Sequence, residues 1–222
     1  MNTLPLEIRD GHFFVLLGDE LWLLDTGAPV SFGRSSHLTI AGEEFNVGSS
    51  YLGLSPEALS GFIGTECFGL LGANILGQFD HIFDAISSKL IISTTILSHR
   101  GRIVRLDGFM GIPILIAQIC GRDFRTFLDT GAQFSYFQDE LLTSFRPAGI
   151  VNDFYPGFGQ FQVDTYEVPV SISEIAFTLR CGMLPDILAT TLGMARAEGL
   201  IGNEILLNRI VGYFPRRKEL VI

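Results

Sequence analysis

The chain has 222 residues, enough for one large domain or two small lobes; 47% are hydrophobic and 18% charged, so a sizeable core needs no external staple. The formal net charge of −9 argues against nucleic acid or an anionic membrane as partner. No apolar run is long enough to span a bilayer, and the first 30 residues lack the basic opening of a signal peptide, so a cytoplasmic protein is expected.

Glycine and proline punctuate short apolar runs along the whole sequence, which reads as mainly β. The run from His12 to Leu17 turns at Gly18-Asp19-Glu20 into Leu21 to Asp25, a hairpin that delivers an aspartate at the end of its second strand. A brief hairpin follows over residues 38–47. Next come the apolar-glycine-apolar segment Leu70 to Leu76 and a pair of strands, His81 to Asp84 and Lys89 to Ile92. The polar, glycine-containing stretch Ser98 to Gly111 reads as the join between two halves.

The second half repeats the design. Ile114 to Ile119 turns at Gly121-Arg122-Asp123 into Phe124 to Asp129, and Leu200 to Leu206 repeats the apolar-glycine-apolar segment. Val211 to Phe214 and Lys218 to Ile222 form a last hairpin. The tetrapeptide Asp-Thr-Gly-Ala closes the opening hairpin of each half, at Asp25 to Ala28 and at Asp129 to Ala132, 104 residues apart. Two lobes are therefore expected, residues 1–98 and 99–222.

The halves differ in one place. Asp25 and Gly72 are 47 residues apart, whereas Asp129 and Gly202 are 73 apart, and the surplus of 26 falls between Ser135 and Pro169. It holds a short helical candidate, Gln138 to Phe145, and alternating residues about a Gly-Phe-Gly tip at 157–159. This reads as a long hairpin over about 152–169, which the first half lacks.

Two such turns meeting face to face would set Asp25 beside Asp129. Two carboxylates in contact cannot both ionise, so one keeps its proton and acts as acid while the other acts as base. The positions are pseudo-equivalent, and the sequence does not assign the roles. Gly27 and Gly131 keep side chains away, so that a substrate backbone could approach. Gly72 and Gly202 are expected to permit tight packing beneath the aspartate loops.

Taken together, apolar-Asp-Thr-Gly-Ala followed by apolar-apolar-Gly, twice in one chain, resembles the aspartic peptidases of the pepsin and retropepsin group. The resemblance covers nearly the whole chain and implies an all-β, bilobal fold of two duplicated lobes with the active site between them. It implies Asp25 and Asp129 as the catalytic pair, supported by Ala28, Ala132, Gly72 and Gly202, with Thr26 and Thr130 locking the two loops together. The hairpin near 152–169 is similar to the retropepsin flap, which makes Tyr155, Gly157, Phe158 and Gly159 expected substrate contacts along with Gly27 and Gly131. Both halves lie in one chain, as in pepsins, so a monomer is expected. The implied activity is hydrolysis of extended peptides with apolar side chains near the scissile bond, with no metal or other cofactor. A non-catalytic peptide-binding module of the same fold, or a processing peptidase dedicated to itself or one partner, stays open as an alternative.

Other residues point to no second chemistry. Cys67, Cys120 and Cys181 are too few and scattered for a disulfide framework or zinc site, and read as free thiols. His12, His37, His81 and His99 are unclustered, and no His-Glu-x-x-His or Gly-x-Ser-x-Gly occurs. Trp22, Phe83 and Phe214 read as core. Arg100, Arg102 and Arg105, and the run Arg216-Arg217-Lys218, read as solvated turns or strand ends.

Overall fold

The structure, a computed structural model, describes residues 1–222. The first half runs through strands β1 (Asn2–Arg9), β2 (His12–Leu17), β3 (Glu20–Leu24), β4 (Phe32–Gly33), β5 (His37–Ile40) and β6 (Glu43–Asn46). Helix α1 (Pro56–Ile63), β7 (Gly69–Leu71), helix α2 (Ala73–Leu76), β8 (Asp80–Asp84) and β9 (Lys89–Ser93) complete it. The second half contains β10 (Ile103–Arg105), β11 (Asp107–Phe109), β12 (Ile112–Ile119), β13 (Arg122–Leu128) and β14 (Ser135–Phe137). It continues through a 3-10 turn (Glu140–Ser144), β15 (Arg146–Tyr155), β16 (Gly159–Ile172) and β17 (Ile175–Gly182). Helix α3 (Asp186–Met194), β18 (Gly199–Ile201), a 3-10 turn (Asn203–Leu206), β19 (Ile210–Phe214) and β20 (Glu219–Val221) close the chain.

The expected hairpins are all present. Phe14 pairs with Leu23 across β2 and β3, as Ile114 pairs with Phe127 across β12 and β13. The internal repeat is visible in strand order: β1-β2-β3-β7-β4 in one sheet matches β11-β12-β13-β18-β14 in the other. In each, the strand carrying the aspartate at its end runs parallel to the strand that precedes Gly72 or Gly202. In the first half that pairing is buried on both faces, so β3 and β7 are apolar almost throughout, whereas β13 alternates between buried and more exposed residues.

The two halves share one of the sheets. Its order, β10-β20-β19-β8-β9-β1-β2-β3-β7-β4, inserts three strands of the second half beside β8 of the first. Val211 and Phe83 face each other in that junction, both fully buried. Trp22, Phe83 and Phe214 are core residues, as expected.

One expectation is corrected here. Arg216 and Arg217 are not merely solvated: both bond to the carboxylate of Asp80, which is fully buried in β8. Burial pushes the Asp80 carboxyl up, but the Leu97 N–H and the two guanidiniums together hold it below the usual carboxylate range. A side chain that would be costly alone becomes a clamp between the halves. Cys67 and Cys181 are buried thiols, and Cys120 is exposed. No helix is long and apolar enough to cross a membrane.

Helices α1 and α3 were not legible as such in the sequence. Helix α1 nevertheless carries full start and stop signals: Ser55 caps Ala58 N, Pro56 opens the first turn, and Gly64 ends it in the left-handed region at φ 74°.

Candidate active site

The aspartate loops are built by the same hydrogen bonds twice. Asp25 N donates to Leu71 O at 3.0 Å, and Asp129 N to Ile201 O at 2.9 Å. Ala73 N donates to Ala28 O and Asn203 N to Ala132 O, each at 2.8 Å. Gly72 N donates to Ser31 Oγ at 2.8 Å, and Gly202 N to Ser135 Oγ at 3.0 Å. A methyl group on Gly72 would lie 2.7 Å from Val30 O, and one on Gly202 would lie 2.5 Å from Phe134 O. Both glycines therefore sit where the loops press closest, as expected from the sequence.

Each loop is locked to the other through its threonine. Thr26 N donates to Thr130 Oγ1 and Thr130 N to Thr26 Oγ1, both at 3.0 Å. The hydroxyls then donate onward across the junction, Thr26 to Leu128 O at 2.6 Å and Thr130 to Leu24 O at 2.8 Å. Both threonines are buried, so every one of these groups lacks water as an alternative partner.

This lock brings the carboxyls of Asp25 and Asp129 together, each packed against the glycine of the opposite loop. Ala28 N donates to Asp25 Oδ1 at 2.8 Å, while Gly131 N and Ala132 N donate to Asp129 Oδ1 at 3.0 and 3.2 Å. Burial, then the neighbouring Asp129 charge, raises the Asp25 carboxyl well above the ordinary 3.8. Asp129 is also raised, chiefly by burial. The pair thus holds a proton that two exposed aspartates would release.

The reason for Gly27 and Gly131 differs from the sequence-based one. A methyl group on Gly27 would lie 2.2 Å from the Asp129 carboxyl carbon, and one on Gly131 would lie 2.4 Å from that of Asp25. Each glycine makes room first for the opposite aspartate; both also border the cavity above.

That cavity measures about 240 Å³ and 21 of its 30 lining residues are hydrophobic, which suits it to apolar groups. Asp25 and Asp129 lie in its floor with Ala28 and Ala132. Leu23, Phe32 and Leu70 line it from one half, and Phe127, Tyr136 and Leu200 from the other. The long hairpin of β15 and β16 borders it through Asp153, Phe154, Tyr155, Pro156 and Phe161. Its tip turns at Gly157, with φ 78°, and Tyr155 pairs with Gly159.

The tip of the hairpin stands off the cavity wall. Gly157, Phe158 and Gly159 do not line the cavity; Phe158 is 42% exposed and meets Phe161 edge-on at 6.1 Å. The apolar surfaces turned inward are Phe154 and Pro156 instead. The first half also reaches the hairpin. Tyr51, Leu52 and Leu54 line the cavity, a methyl on Gly157 would lie 3.7 Å from Leu52 Cβ, and Phe62 of α1 stacks on Phe154 at 4.7 Å. The hairpin tip and the 51–54 turn meet across the cavity.

Three polar residues at the site were not found from sequence. His12 Nδ1 lies 3.1 Å from Gly131 O, so this nitrogen carries the proton and donates. Burial holds the ring below its usual pKa, against the opposing pull of the Gly131 bond and the Asp153 and Asp10 charges. Tyr136 O–H donates to Asp153 Oδ2, and Phe154 N donates to Asp153 Oδ1 at 2.8 Å. Burial raises the Asp153 carboxyl despite these two donors.

No family model matches the chain, and no curated protein matches it. Among solved structures it is similar to the solution structure of the simian foamy virus (mac) protease, at 18% identity and a TM-score of 0.30, over 40% of this chain and 86% of that one.

Proposed function

We propose that this chain is an aspartic endopeptidase of bilobal form, its lobes approximately residues 1–98 and 99–222, which hydrolyses extended peptides with apolar side chains near the scissile bond. The observation that carries this reading is the juxtaposition of two half-buried carboxyls, Asp25 and Asp129, on loops fixed by reciprocal threonine bonds beneath an apolar cavity. With one carboxyl protonated and one ionised, a water bound between them loses a proton to the carboxylate as its oxygen attacks the peptide carbonyl. The carboxylic acid gives its proton to the carbonyl oxygen. The C–N bond of the resulting diol then breaks: the pair gives a proton to the leaving nitrogen, and a diol hydroxyl gives its own to the other carboxylate as the C=O bond re-forms, which restores the single shared proton.

In this reading the hairpin of β15 and β16 acts as a lid that excludes water and holds the peptide extended. Its meeting with the 51–54 turn supports that role. The reading is tested by incubating the protein with a diverse peptide library from acid to neutral pH and detecting products by mass spectrometry. Cleavage that disappears in Asp129→Asn and is blocked by a peptidomimetic with a central hydroxyl is expected. Cleavage that survives in Asp129→Asn would overturn it, as would the absence of any cleavage.

A further inference from the structure

The cavity is polar in one corner, on the Asp129 side. Its lining residues otherwise match across the halves by strand register: Leu23 and Phe32 flank Leu70 as Phe127 and Tyr136 flank Leu200. The match breaks where Tyr136 carries a hydroxyl that Phe32 lacks. It breaks again where His12, after Gly11, stands opposite Ile112, after Gly111. Asp153 has no counterpart, because the first half has no equivalent of the long hairpin.

Behind Asp153 lies a second recess of about 120 Å³, several times the roughly 30 Å³ a water occupies in the liquid. It shares His12, Asp153 and Phe154 with the main cavity and is otherwise lined mostly by polar groups, Asp10, Gln133, Asn152 and Gln160 among them. No lysine or arginine lines either space, and Asp153 is in no ion pair. The contrast with Asp80, which meets two guanidiniums, is direct. Tyr136 and Phe154 N give each Asp153 oxygen a hydrogen bond but no counter-charge.

We infer that this recess is a subsite for a cationic side chain, arginine or lysine, of a peptide lying in the main cavity, with Asp153 as the specificity-determining residue. The inference rests on the peptidase reading for the peptide's presence. A guanidinium or ammonium supplies the counter-charge that the half-buried Asp153 carboxylate lacks. The other residues favour the same occupant. With Nδ1 of His12 committed to Gly131 O, Nε2 of the neutral ring is an acceptor, and Asp10 adds a second carboxylate to the lining. A cationic side chain is all donor. An apolar one would strip water from Asp153 without replacing it, and an anionic one would meet two carboxylates.

The test uses peptides identical except for arginine or its neutral isostere citrulline, placed in turn at each position around the cleavage site. The wild-type protein should favour one arginine position by about tenfold in kcat/KM, equivalent to one well-formed charge pair. The ratio should fall to near one in Asp153→Asn, whatever that variant's absolute rate. Binding of the same peptides to the Asp25→Asn protein, by titration calorimetry at neutral pH, should show the same preference. Wild-type cleavage without preference for arginine at any position overturns the subsite and leaves the peptidase reading intact. Selective binding of arginine peptides that are never cleaved overturns the peptidase reading and keeps the subsite. An arginine preference that persists in Asp153→Asn removes Asp153 from the role.

Discussion

Thr26 and Thr130 each donate a backbone N–H to the other's hydroxyl oxygen, both at 3.0 Å, so neither loop is complete without the other. Replacing Thr26 with Val keeps the shape but strands the buried Thr130 N–H and Leu128 carbonyl. We expect a loss of about 3 kcal/mol in stability and, at this chain length, roughly 6–12 °C in Tm. Thr26→Ser, which retains the hydroxyl, should recover most of it. Calorimetric melting of both variants checks this; equal losses in Val and Ser would show that packing rather than the hydrogen bonds holds the junction.

Asp25→Asn should lower turnover by about four orders of magnitude, yet raise stability at neutral pH. Folding holds the Asp25 carboxyl well above its ordinary 3.8. A carboxyl raised in the folded state favours folding fully below 3.8, and that contribution is lost as pH rises through the folded value. Asparagine does not ionise and escapes the loss. Denaturant unfolding as a function of pH should show the variant gaining on the wild type above 3.8 and converging with it below. A variant less stable than wild type at neutral pH contradicts the assignment of a buried, raised carboxyl.

Ala28 N and Ala132 N point at Asp25 and Asp129, so serine at both positions can add a hydroxyl donor to the same carboxyls. A hydrogen bond to the charged form lowers a pKa. The acid limb of the pH–rate profile should therefore move down by about half a unit to one unit. A limb that stays put or moves up would show that the serine hydroxyls face elsewhere.

Deleting residues 156–160 removes the hairpin tip, including Pro156 on the cavity wall, but no bond of the threonine lock. Peptide kcat/KM should fall by about a hundredfold or more, with Tm nearly unchanged. Undiminished cleavage by the deletion protein would mean that the hairpin is not a lid.

Asp80→Asn should destabilise the fold by about 3 kcal/mol, the low end for breaking a buried ion pair, because Arg216 and Arg217 retain some access to water. The Asp80 carboxyl is held below its ordinary 3.8, so its contribution is present above that pH and lost as pH falls through the folded value. The deficit of the variant should therefore shrink in strong acid. A deficit independent of pH would point to packing at Asp80 rather than its charge.

The repeat was the part of this protein most legible in its sequence. Two Asp-Thr-Gly-Ala turns and two downstream glycines fixed which strands would match, because those positions are set by local turn chemistry and close backbone approach. The pairing of β8 with β19 was not legible: each hairpin reads as complete on its own, and only the assembled sheet shows Val211 against Phe83. Helix α1 was hidden by the overall β pattern even though Ser55, Pro56 and Gly64 mark its ends. The polar corner was missed for a similar reason. His12 opens an apolar strand, Tyr136 follows a loop and Asp153 lies on a hairpin flank, far apart in the chain and each unremarkable alone. Only the fold sets them around one cavity.

The shared sheet also governs how the molecule can be assembled during synthesis. Ile210 pairs with Asp84, 126 residues earlier, so β8 is an unprotected sheet edge until β19 of the second half has been made. An open edge of this kind is a template for pairing with other chains. A first half made before the second leaves that edge open to aggregation, and Asp80 meets its two arginines only once the second half has joined. The threonine lock, and with it the pairing of Asp25 and Asp129, likewise needs both halves to be present.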